Sequence, residues 1–223
     1  MFRTLAVSLL SLLLCASVAF AEKPLVGASD PTFPPNEMLN KDKEIVGFSI
    51  DYIKAVGKEA GFDVQVKNIA WDGIFAALAS NQVDVIAASV SITDKRKKAM
   101  LFTDPYYESG LMTIVRKDNT VIHSLADLKG KRIGVQLGTT GAQEAEKIEG
   151  AKVTNFDTSD LACLELKNGN VDAVISDLPV LEYFLKKGGA SYAKTVGTPK
   201  KGDFYGIAAP KGKKELIDGL NKA

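Results

Sequence analysis

LASNQVDVIAAS (residues 78–89) and LKNGNVDAVISD (residues 166–177) decide how this chain is read. The two segments align without a gap, with Leu78 matching Leu166, Val83 matching Val171 and Asp84 matching Asp172. Each passes from the end of a helical pattern through a polar turn into Val-Asp and then a short apolar run that suits a buried strand. Working outward from the first copy, LVGAS (25–29), DVQVKNI (63–69) and VDVIAAS (83–89) read as strands. They alternate with helical patterns at FSIDYIKAVGKEAG (48–61), WDGIFAALAS (71–80) and TDKRKKAM (93–100), the last capped by Thr93. In the first of these helices Ile50, Ile53, Val56, Gly57 and Ala60 fall near one face. Around the second copy, KRIGVQ (131–136), AKVTNF (151–156) and VDAVISD (171–177) read as strands, with helices over about 140–148, 158–168 and 178–187. Such alternation implies an α/β protein with parallel sheets and right-handed crossovers. The repeated block predicts two similarly built lobes.

Composition narrows the classes. Arg3 followed by the apolar run Leu5–Phe20 and the small-x-small pattern Ala19-Phe20-Ala21 reads as a signal peptide over residues 1–21, with Glu22, Lys23 and Pro24 ending the apolar stretch. Cys15 is not read as a lipidation site, because bulky Leu14 precedes it. Removal of the leader leaves roughly 200 residues, enough for two small lobes with real cores. The 28 basic and 27 acidic residues then become equal, because the leader takes Arg3 with it. No basic excess points to nucleic acid. Cys163 is the one cysteine left and His123 the one histidine, so no internal disulfide and no His-pair metal site is expected. His123 reads as a loop residue just before a helix start at Ser124. No catalytic residues, metal or cofactor are assigned, and a monomer is expected.

Open α/β sheets bind ligands beyond the carboxyl ends of their strands. The two echoing strands end at Ser89 and Asp177, so two facing lobes would bring a hydroxyl and a carboxylate to one cleft. After Ser89, alternation in SVSITDKR puts Ser89, Ser91 and Thr93 on one side, with Arg96 on the first turn of the next helix. A guanidinium there suits a carboxylate, while Lys95, Lys97 and Lys98 beside it form an exposed basic run. In GVQLGTTGAQEAE, Thr139 and Thr140 sit at the start of a helix whose free amides favour anions. Gly134, Gly138 and Gly141 are spaced GxxxGxxG, not the dinucleotide GxGxxG, and no Walker lysine follows. An anion clamp together with Asp177 fits a zwitterion. Phe33 and Trp71 are placed where a pocket wall would run.

At these residues the chain resembles the polar amino-acid family of periplasmic solute-binding proteins, the extracytoplasmic receptors of ABC importers. The similarity rests on DPTFPP (30–35), VGFSID (46–51), SVSITDKRKKAMLFTDPYYESG (89–110), LGTTG (137–141), VDAVISD (171–177) and YGIAAPKG (205–212), in that order. It implies a two-lobed periplasmic-binding-protein fold of type II, each lobe a sheet flanked by helices, joined by two hinge strands near 106–110 and 201–205. One lobe would hold residues 22–106 and 205–223, the other 110–200. The resemblance also implies roles: Arg96 on the ligand carboxylate with Ser91, Thr140 and Thr139, and Asp177 on the ammonium with Ser89 and the carbonyl of Ala88. Phe33 and Trp71 would sandwich the side chain, with Asp30 and Gln136 where its preference is tuned. Asp30 and Glu37 suit lysine, arginine or histidine; Gln136 suits a polar neutral side chain. The implied function is capture of a polar or basic free amino acid by hinge closure, for an ABC permease at the membrane, in the periplasm.

Departures from the family are Asn36 where many relatives carry Phe, expected to make the wall more polar, and Ser49 for a frequent Asp. Relatives also carry a further helix beyond the position of Ala223, so an incompletely covered first lobe is expected. Two other readings share the fold: a ligand-sensing domain of a membrane receptor, and a dehydratase-like enzyme.

Overall fold

A computed structural model describes residues 23–223; the signal-peptide reading of residues 1–21 lies outside them. The chain runs β1 (Lys23–Ser29), β2 (Thr32–Phe33), β3 (Glu37–Leu39), β4 (Ile45–Val46), α1 (Phe48–Glu59), β5 (Phe62–Asn68), α2 (Trp71–Ala79), β6 (Val85–Ile86), α3 (Asp94–Ala99) and β7 (Met100–Phe102). It then crosses to a second body through β8 (Tyr107–Arg116), followed by β9 (Arg132–Gln136), α4 (Thr140–Ala145), β10 (Lys152–Phe156), α5 (Ser159–Asn168), β11 (Ala173–Asp177) and α6 (Leu178–Lys186). The long β12 (Ala193–Tyr205) leads back to β13 (Ala208–Pro210) and α7 (Lys214–Lys222) in the first body.

Each body is built on a five-stranded sheet, in the order β5-β1-β6-β13-β7 and β10-β9-β11-β8-β12. The echoing segments supply β6 and β11, the central strand of each. In both sheets the first three strands lie in the order second, first, third and run parallel. The expectation of wholly parallel sheets needs correction. β13 is antiparallel to β6 and β7, and β8 is antiparallel to β11 and β12. These members carry or follow the crossings between lobes, so they enter each sheet from the opposite end. β2, β3 and β4 form a small antiparallel meander on lobe 1 that no sequence pattern announced.

Both faces of each sheet are covered. In lobe 1, Ile74, Leu78 and Ile86 pack on one side, and Leu25, Ile53, Val85, Ile207 and Ile217 on the other. In lobe 2, Leu128, Ile133 and Val135 form one layer, and Ile114, Leu166, Val174 and Leu181 the opposite one. Burial on both sides explains why the central strands read as continuous apolar runs. The strand expected over 83–89 pairs regularly only at Val85–Ile86, and Ser89 sits at φ 48, the left-handed region that breaks an extended run. α1 buries Ile50, Ile53 and Gly57 against the sheet. Added carbon on Gly57 would run into the Val64 side chain, so the helix lies close on β5.

Candidate functional site

Where a strand order reverses, the connections leave in opposite directions and open a crevice at the strands' carboxyl ends. Both sheets reverse between their first and third strands, and the two crevices face one another. Asp30 follows β1, Ala88 and Ser89 follow β6, Gln136 ends β9 and Asp177 ends β11. Together with Phe33, Trp71, Ser91, Arg96, Thr139 and Thr140 they line one narrow cavity. The structure therefore gathers all eleven residues singled out from the sequence. A twelfth, Glu37, joins them from β3. Asn36, expected to make the wall more polar, does not line the cavity; it is buried behind it, and its carbonyl accepts from Ser49 N–H.

Arg96 is 9% exposed, on the first turn of α3, whose N-cap Thr93 accepts the Arg96 amide as expected. Its Nη1 donates to Ser91 O in lobe 1 at 3.0 Å and its Nη2 to Gly138 O in lobe 2 at 3.1 Å. The guanidinium stands 5.3 Å from the Trp71 ring centroid and 5.2 Å from that of Phe75. Burial lowers its pKa, opposed by the charges of Asp203 and Asp177. Gly138 can offer its carbonyl because it holds φ +71, a turn that favours glycine.

Trp71 opens α2. Its backbone N–H donates to Asp30 Oδ2 at 2.9 Å, and its indole Nε1 donates across the cleft to Leu137 O at 2.9 Å. Two lobe-1 side chains thus bond consecutive carbonyls of the lobe-2 loop after β9, and the lobes stand closed on each other. Phe33, in β2, is buried in the same wall.

The threonines are more committed than their resemblance-based roles imply. Thr139 is the N-cap of α4: its Oγ1 accepts from Ala142 N–H and donates to Gln136 O. Thr140 Oγ1 donates to Asp203 Oδ2 at 2.6 Å. Neither hydroxyl proton is free for a ligand carboxylate while these bonds last. The Ser91 hydroxyl, 3.5 Å from Thr140 Oγ1, is the less engaged donor. Gln136 is likewise pinned, its Nε2 donating to Asp157 O and its Oε1 accepting from Ser159.

Three carboxylates share this cavity with one guanidinium. Asp177, 3% exposed, accepts from the Tyr205 phenol. Burial, reinforced by the charge of Asp203, pushes its pKa up to about 7, against the Tyr205 hydrogen bond and Arg96. Glu37, 1% exposed, accepts from Ser89 Oγ through Oε2, while its buried Oε1 has no protein partner. Burial raises the Glu37 pKa well above the usual carboxylate range; the hydroxyls of Ser49 and Ser89 lower it, and Asp177 and Asp30 raise it further. Sequence reasoning noticed Glu37 only as a preference hint, because the β2–β3 hairpin that turns it inward has no long pattern.

His123 lies outside the cavity, in the loop before a short 3-10 turn, where Asp127 Oδ2 accepts its amide. Among the described residues, no cluster of three His, Cys, Asp or Glu is placed to hold a metal, and no helix is long and apolar enough to cross a membrane.

Two lobes with matching strand orders, closed over a cavity of mixed charge, define a solute-binding protein. Residues 25–223 match the bacterial extracellular solute-binding proteins, family 3, and the chain belongs to that family. It is 35% identical to ABC transporter arginine-binding protein 1 of Escherichia coli K12 over 207 residues, 91% of this chain and 84% of that protein. Among solved structures it resembles an ancestral arginine-binding protein bound to arginine, with a TM-score of 0.85, 42% identity and 89% of each chain covered. It also resembles the arginine-, lysine-, histidine-binding protein ArtJ of Geobacillus stearothermophilus, with a TM-score of 0.84, 38% identity, and 90% and 87% of the two chains covered.

Proposed function

We propose that this protein is a periplasmic receptor that closes on a basic L-amino acid, arginine foremost, and presents it to an ABC permease. Glu37 carries the proposal. It is a wholly buried carboxylate with one unpartnered oxygen, in a cavity that already holds one guanidinium for the ligand carboxylate and one carboxylate for its ammonium. A buried charge is costly unless paired, and a cationic side chain supplies that pair. In this reading Arg96 and Ser91 take the ligand carboxylate, Asp177 takes the ammonium with Ser89 and the Ala88 carbonyl, and Phe33 and Trp71 flank the aliphatic stem. Thr139, Thr140 and Gln136 shape the lobe-2 wall.

Residues 22–106 with 205–223, and residues 110–200, would move as two bodies about segments 106–110 and 201–205. Ligand favours the closed form because only that form contacts it from both sides. A neutral carboxamide such as glutamine is the second reading, because Glu37 in its raised-pKa, protonated form can donate to an amide oxygen.

A thermal-denaturation panel of the twenty L-amino acids tests the proposal. A ligand bound only by the folded state raises the melting temperature by mass action. Arginine is expected to give the largest rise, with lysine and histidine behind it. A flat panel, or a rise confined to acidic or apolar amino acids, overturns the proposal.

A further inference from the structure

Tyr205 is wholly buried at the last position of β12, where it pairs with Tyr107 of β8 and its backbone also bridges to Ser91 of lobe 1. Its carbonyl accepts from Tyr106 N–H, while the flanking residues bond to the segment after β6: Ile92 N–H to Phe204 O, and Gly206 N–H to Val90 O. Its ring stacks on that of Tyr107, at 5.5 Å between centroids and 15° between planes. The phenol reaches past β8 to the carboxylate that ends β11, the central strand of the same sheet. Ser109, on β8, stands 2.9 Å from the same phenol oxygen. A carboxylate can only accept, so the single phenolic proton goes to Asp177 and the serine hydroxyl is left to donate to the phenol.

We propose that Tyr205 is a positioning residue for ligand binding: it fixes the Asp177 carboxylate from the crossover strand, leaving Oδ1 to meet the ligand's ammonium. Three neighbouring strands of the lobe-2 sheet meet at this point, namely β11 and both crossover strands, so Asp177 is held where the chain passes between the lobes. The charged and titratable groups acting on Asp177 are Arg96 from α3, Asp203 and Tyr205 from β12, and Glu37 from β3. Of these, Tyr205 and Arg96 favour the ionised carboxylate, and Asp203 and Glu37 oppose it.

The inference rests on the amino-acid reading for its ligand but not for its geometry, and the test separates the two. The carboxyl ¹³C signal of Asp177 is titrated in the ligand-free protein, as wild type and as Tyr205→Phe, and L-arginine affinity is measured calorimetrically from pH 6 to 9. The wild-type midpoint is expected near pH 7, and loss of the phenolic hydrogen bond is expected to raise it by about one unit. Arginine binding by Tyr205→Phe should then be about fivefold weaker at pH 7 and return towards wild type at pH 9, where the carboxylate ionises in both. A merely structural role would weaken binding by the same factor at every pH, and that result overturns the proposal. Ser109→Ala, which keeps the phenol, should move the midpoint less and in the same direction; an unmoved midpoint in every variant that folds also overturns it. Wild-type protein that titrates as expected yet binds no basic amino acid sinks the ligand assignment and leaves Tyr205 standing.

Discussion

Val83–Ser89 and Val171–Asp177 begin alike and end differently. In lobe 2 the strand stays regular through Asp177, which holds φ −67 and ψ 138 and is itself the N-cap residue of α6. In lobe 1 regular pairing stops at Ile86, Ser89 turns left-handed, and an irregular stretch runs on to α3. That extra length brings Ser91 and Arg96 over the cavity. Lobe 1 consequently supplies eight of the twelve lining residues, and lobe 2 supplies four. Lobe 2 contributes a single charge, Asp177, and two backbone carbonyls that receive lobe-1 donors. The matching strand orders provide two crevices, and the break after β6 carries the chain further over the one on lobe 1. On the proposed reading, lobe 1 sorts ligands and lobe 2 closes over them.

The largest expected effect belongs to Arg96, which serves both halves of that division. Arg96→Ala removes the cation for the ligand carboxylate and the bond to Gly138 O together. Breaking one side of a buried ion pair costs about 3–5 kcal/mol, and each 1.4 kcal/mol is about tenfold in affinity. Arginine binding measured by calorimetry should weaken by at least about a hundredfold. A loss below about threefold would remove Arg96 from the site and leave lobe 1 without an anion partner.

Glu37→Gln sharpens the comparison from the selecting side. The substitution keeps the shape and removes the charge, so arginine should bind about tenfold more weakly, in the range for losing a charged hydrogen-bond partner. Glutamine should lose little or gain. Equal losses for both ligands would make Glu37 a structural group and return the choice of ligand to Asp30 and Gln136.

How much of this was legible follows from the range of the interactions involved. Local periodicity announced the alternating elements and the Thr93 cap, because those patterns lie within single elements. The shared strand order was implicit in the echo. The antiparallel pairing was hidden: the resemblance placed hinge strands only near 106–110 and 201–205, whereas β8 runs on to Arg116 and β12 begins at Ala193 because the two pair along their length. The two-residue β2 and three-residue β3 are too short for a pattern, so the inward turn of Glu37 stayed invisible. Family resemblance supplied roles for Phe33, Trp71 and Gln136 that spacing alone left open. It could not show that the Thr140 hydroxyl is committed elsewhere, because Asp203 lies far along the chain. Tyr205 was read only as the first letter of a motif and the end of a hinge strand, and its reach to Asp177 needs the assembled sheet.

Trp71→Phe carries the smallest expected effect and bears most directly on closure. Phenylalanine keeps an aromatic face in the wall but deletes the indole N–H that Leu137 O accepts across the cleft. One neutral hydrogen bond is worth about 1 kcal/mol net, or about fivefold in affinity. The bond joins protein to protein, so the loss should be nearly the same for arginine and for glutamine and should appear mainly as faster dissociation. Stopped-flow binding of both ligands separates the cases. Equal factors in the off-rate place Trp71 in the latch between lobes. A loss confined to arginine would instead make the indole part of the cation's subsite, and sorting and closing would then share a residue on lobe 1.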